Sequence, residues 1–224
     1  MYLDPTYTIV MIIIMGVAAI SQLWISSSYS KYSKVKPKNG LTGEQAGEKI
    51  LQGEKFPVDI VVQGGSLSDH FDPRNNTVTL STSSKNSSVA DIAVTAHEFG
   101  HVSQKFSKSF LFNIRNSLVP VVNIGSQLGY ILIILGFSLN LLQLSTIGLI
   151  LFSFSTIFAL ITIPLERDAT KRGLHFLSKY NLISQENLPG AKSILNAASM
   201  TYVASLITSL LNLFFFFSRV RRKH

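Results

Sequence analysis

Four apolar runs, each near twenty residues, constrain this chain more than any other feature. They cover about Tyr7–Ile25, Leu118–Phe137, Leu144–Ile163 and Ala197–Phe217. A helix rises about 1.5 Å per residue, so each run is long enough to cross the roughly 30 Å hydrocarbon layer of a bilayer. Backbone groups in that layer must be satisfied within the segment, which leaves the helix as the form for isolated apolar runs. The runs account for the balance of 46% hydrophobic to 14% charged residues, against about 25% charged in a soluble domain. A signal peptide is the rival reading of the first run. It needs Lys or Arg ahead of the run, and the only charge there is Asp4. A retained anchor fits better.

The net charge of +8 does not indicate nucleic acid. The basic residues flank apolar runs and form no stripe, which makes them a topology signal. Lys31, Lys34, Lys36 and Lys38 follow the first run, and Arg167, Lys171 and Arg172 follow the third. Both loops are expected on the cytoplasmic side. Four complete crossings would then put the basic tail, Arg219 to Lys223, outside, against the same rule. Either the last run crosses incompletely or the earlier loops set the orientation.

The polar stretch 26–117 carries local signals of an α+β region. Thr42 and Gln45 form a capping-box pattern ahead of Ala46, Ile50 and Leu51. Ile60-Val61-Val62 reads as a strand closed by Gly64-Gly65, and His70-Phe71 as a short strand. Pro73 to Asn76 reads as a turn, and Thr77 to Leu80 alternates as a half-buried strand does. Ser87 or Ser88 can cap a helix running through Ile92, Ala96 and Phe99 towards Lys105. Pro164 is expected to open a polar helix over 165–179. The resulting division is an anchor at 1–25, a catalytic region at 26–117, a transmembrane hairpin at 118–163, a further helix at 164–196, and a last membrane segment with its basic tail at 197–224.

The helix beyond Ser88 holds His97-Glu98-Phe99-Gly100-His101. Residues four apart lie about 40° apart around a helix, so both imidazoles face one side and can reach one zinc ion. Glu98 stands beside them, placed to take a proton from the attacking water and pass it to the leaving amine. The chain has no cysteine, so a metal site must use His, Asp or Glu. Asp91 precedes the motif and Gln104, Lys105 and Lys108 follow it, which places this helix outside the bilayer core and argues against an intramembrane protease.

A catalytic zinc site needs a third protein ligand. Candidates are Glu166, Asp168, His175, Glu186 and His70. Glu166 and His175, nine residues apart, face opposite sides of a continuous helix, and Glu166 and Asp168 lie about 200° apart. The Glu166 face continues through Ala169, Thr170 and Gly173, small enough for close approach to the His97 helix. The Asp168 face continues through charged residues, and Asp168 with Arg172 has the spacing of an i,i+4 ion pair. Glu166 is therefore the chosen third ligand. Two spans separate it from His97, an even number, so both lie on one side of the membrane. The strand at 77–80 either offers its edge to an extended substrate or serves as a core strand.

Asp69-His70-Phe71-Asp72-Pro73, Ala96 to His101, and Pro164-Leu165-Glu166-Arg167-Asp168-Ala169, in this order and with these spans, resemble the YugP-type membrane zinc metallopeptidases of bacteria. The resemblance covers nearly the whole chain. It implies zinc on His97, His101 and Glu166, Glu98 as base, and a protein or peptide substrate met at a lipid bilayer. The site is also similar to those of the gluzincin proteases, which place an Asp four residues after the Glu ligand; this chain has Thr170 there. The expected fold is an α-rich membrane protein with about four transmembrane helices and a small zincin-like α+β region. The alternative from another class is a zinc-binding scaffold without activity.

Overall fold

The computed structural model describes residues 5–65 and 68–222. Asp4, Lys223 and His224 lie outside them. The elements are α1 (Pro5–Tyr32), α2 (Gly43–Glu54), β1 (Asp59–Gln63), β2 (His70–Asp72), β3 (Thr77–Ser81), α3 (Val89–Phe106), α4 (Phe110–Ser138), α5 (Leu142–Lys179) and α6 (Leu188–Arg222). Helices α1, α4, α5 and α6 are long and apolar enough to cross a membrane, as the four runs require. The last run is thus long enough for a full crossing. Helix α3, which carries the His-Glu motif, is not among the four.

The chain forms two compact units from interleaved segments. One comprises the described parts of Met1–Gln22, Asn113–Pro164 and Met200–His224. Within it α4 and α5 meet at glycines: a Cβ on Gly129 would fall 2.7 Å from the Gly148 carbonyl oxygen, and one on Gly148 would fall 2.6 Å from that of Gly129. Only residues without side chains allow this backbone approach, the usual device for packing helices in lipid. Most remaining side chains on these helices are partly or fully exposed.

The second unit comprises Leu23–Phe112 and Leu165–Ser199. Its sheet has the order β1-β3-β2, with β1 parallel and β2 antiparallel to β3. Strand β3 is consequently central, and Val78 to Ser81 are all buried. This corrects the half-buried reading of its alternation: the core reading holds, and β3 has no free edge. Ala46 and Ile50 of α2, Val78 and Leu80 of β3, and Ile92, Ala96 and Phe99 of α3 join Phe176 and Leu177 of α5 in one core. Helix α2 begins with the expected capping box between Thr42 and Gln45.

Pro164 does not open a helix. It lies inside α5, which continues from the apolar run through Lys179. In an apolar environment water does not compete for the backbone groups a proline frees, so a helix continues through it where the same residue would stop a helix in water. Pro120 lies inside α4 in the same way.

Candidate metal centre

Helix α3 is fixed at both ends. Ser88 caps it by accepting the Asp91 backbone N–H, and Asp91 in turn accepts the Tyr29 hydroxyl at 2.7 Å. Near its other end Lys105 bonds Pro73 O and Asn76 Oδ1 in the turn between β2 and β3. Between these anchors α3 lies against the Glu166 end of α5 with almost no gap. A Cβ on Gly100 would sit 2.3 Å from the Ala169 carbonyl oxygen, and one on Gly173 would sit 2.9 Å from that of Ala96. The small residues expected to permit close approach are those at the crossing.

That approach brings His97, His101 and Glu166 together. One ligand atom from each lies within 4.8 Å of the others. His97 Nε2 is 3.2 Å and His101 Nε2 is 3.4 Å from the same oxygen, Glu166 Oε2. Two ligands held about 2.0–2.1 Å from a tetrahedral zinc stand about 3.3 Å apart, so these separations and this His-His-carboxylate donor set fit zinc. Glu166 is 2% exposed, a degree of burial at which a carboxylate stays charged only with cationic or metal partners.

The remaining candidates are elsewhere. His70 and His175 are exposed, and Glu186 pairs with Lys38 at 3.0 Å. Asp168 forms the expected ion pair with Arg172 at 2.7 Å, but it has a second partner. Gln104 Nε2 donates to Asp168 Oδ2 at 2.9 Å and to the Leu165 carbonyl at 2.8 Å. Gln104 Oε1 accepts from His101 Nδ1 at 2.9 Å. A fully buried glutamine thus fixes the His101 ring with Nε2 turned to the centre, and Asp168 and Arg172 fix the glutamine. In the sequence Gln104 is only a polar residue after the motif, with nothing that marks it as a partner of His101. His97 Nδ1 lies 3.4 Å from Thr170 Oγ1, so the residue four positions after Glu166 faces the first histidine. Partners of this kind set ring orientation and tautomer. Gln104→Ala is expected to weaken zinc retention about 10–100-fold, measured by competition with a chromogenic chelator.

Glu98 is 8% exposed, and among the described residues no protein donor is hydrogen-bonded to it. Burial pushes its carboxyl above the usual range; His97 and His101 pull it down, and the charges of Glu166 and Asp69 push it further up. Burial opposes the charged form of His101, yet the hydrogen bond and charge of Glu166 outweigh it and raise its pKa.

Residues 7–221 match the family described as "Putative neutral zinc metallopeptidase". The chain is 33% identical over 201 residues to "Putative membrane protease YugP" of Bacillus subtilis (strain 168), covering 89% of each. No solved structure matches it.

Proposed function

The chain belongs to the neutral zinc metallopeptidase family, and on that basis we propose that it is a membrane-bound zinc endopeptidase hydrolysing peptide bonds in protein or peptide substrates. The observation that carries this reading is the convergence of His97, His101 and Glu166 on one point, with Glu98 buried on the same turn of α3. Those three residues would hold zinc. Bound zinc supplies Lewis acidity, which polarises a scissile carbonyl and makes water a nucleophile near neutral pH. Glu98 takes the proton of the attacking water and delivers it to the leaving amine. The burial that raises its proton affinity suits a group that must carry a proton between two steps. Gln104 and Thr170 hold the two rings in register.

A substrate needs an edge strand to align it, and β3 has none. Among the described residues strand β2 pairs only with β3, and it packs against α3. Asp69, which precedes it, is near enough to act on Glu98. In this reading the extended substrate adds to the free edge of β2. The site works at the cytoplasmic face, on the strength of the basic loops after the first and third runs. A reporter fused after His224 is then expected to be extracellular, since four spans follow one another; a cytoplasmic signal would remove one span or invert the protein.

The direct test is metal content and cleavage of casein or a quenched peptide by the purified full chain. About one zinc per chain is expected. A chelator is expected to abolish cleavage and added zinc to restore it. Reloading weakens as pH falls, because the raised pKa of His101 means that its ring takes up the competing proton earlier than an ordinary histidine. A wild-type protein that holds no zinc ends the enzyme reading.

A further inference from the structure

A cavity of about 350 Å³ opens between α5 and α6, with Arg167, Thr170, Lys171, Lys192, Asn196 and Ser199 as its polar lining. Three of these are cations, and no lining residue is acidic. Among the described residues Arg167, Lys171 and Lys192 enter no salt bridge. Asp168, beside Lys171, is already engaged by Arg172 and Gln104. The cavity therefore gathers three cations without an ion pair among the described residues, and Asp168 acts on Lys171 only through its charge. Like charges converge at a cost unless an anion joins them.

The position of these residues along the chain says which anion. Arg167 and Lys171 follow the apolar run of α5 within the same helix, and Lys192 and Asn196 lie just ahead of the apolar run of α6. Both walls of the cavity thus continue into segments of membrane-spanning length. At that boundary the abundant anion is the lipid phosphate, and basic pockets between such helices take anionic headgroups. We propose that this cavity binds the phosphodiester headgroup of an anionic phospholipid. Arg167 supplies a planar fork for two phosphate oxygens, and Lys171, Lys192 and the Asn196 amide supply further donors. Ser199 already donates to Leu195 O at 2.9 Å, so it contributes only an acceptor. Thr170 lines this cavity and faces His97 Nδ1, which gives the bound headgroup and the metal centre a common wall.

The test is native mass spectrometry of the detergent-purified full chain, titrated with phosphatidylglycerol and with phosphatidylcholine of the same acyl chains. This readout is independent of peptidase activity, so its failure is distinguishable from failure of the enzyme reading. Phosphatidylglycerol is expected to be retained preferentially. Each of Arg167→Gln, Lys171→Gln and Lys192→Gln should weaken retention about fivefold, and the triple variant should lose the preference. All three positions are exposed, and circular dichroism checks each fold; if the triple variant does not fold, the single variants decide. Equal retention of the two lipids, or an unchanged preference in the variants, overturns the proposal. So does displacement of phosphatidylglycerol by equimolar inorganic phosphate, which would mark a free-anion site, or by an equimolar Glu-rich peptide, which would mark a substrate subsite.

Discussion

Glu98→Gln is expected to lower kcat/KM for peptide cleavage by about 10²–10⁴-fold while leaving zinc bound, the range lost when a positioned general base is removed. Gln keeps the volume of Glu in a site that is 8% exposed, so packing on α3 is preserved. The fold should therefore be retained, which circular dichroism checks. The histidines and Glu166 remain, with Gln104 and Thr170 still holding the rings, so metal content should match wild type within error. Parallel zinc analysis and initial rates on a quenched peptide settle it. A variant with full zinc and full cleavage would show that another group takes the proton. Wild type that binds zinc without cleaving any peptide would favour the scaffold alternative.

Much of this centre was legible because its chemistry is local. The spacing of His97 and His101 on one helical face depends only on helix geometry. The choice of Glu166 over Asp168 followed from side-chain size: Ala169 and Gly173 permit contact, and the charged face does not. The structure places those small residues where Gly100 and Ala96 meet α5. What escaped reading depends on pairings distant in sequence. Gln104 acquires its meaning only when α3 meets α5, since two of its three partners, Leu165 and Asp168, lie some sixty residues away. Alternation in Thr77 to Leu80 says that one face is buried. It cannot say that β1 returns in parallel on one side while β2 folds back on the other, and that arrangement makes β3 central. Pro164 lies inside α5, where the proline stop rule, which assumes water as the competitor for backbone groups, does not apply.

Glu166→Ala is expected to cost more zinc affinity than Gln104→Ala, because it deletes a ligand and not a partner that orients one. Loss of an orienting partner costs about 10–100-fold, so the Glu166 variant should exceed that range and cleave at background rate. The fold should survive. Helices α3 and α5 are held by backbone contact at Gly100–Ala169 and Gly173–Ala96, which the substitution leaves in place. Asp168→Ala should have the smallest effect of the three, since Asp168 reaches His101 only through Gln104. Glu166→Gln sharpens the comparison: the amide keeps the shape but is a poor zinc ligand, so it should resemble Ala in metal content and chelator-stripped wild type in thermal midpoint. The predicted order of zinc loss is Glu166, then Gln104, then Asp168, read from one chelator competition series. If Asp168→Ala empties the site and Glu166→Ala does not, the third ligand is misassigned, and the Oε2 contacts of Glu166 with both histidines would be an ion pair that merely holds α5 against α3.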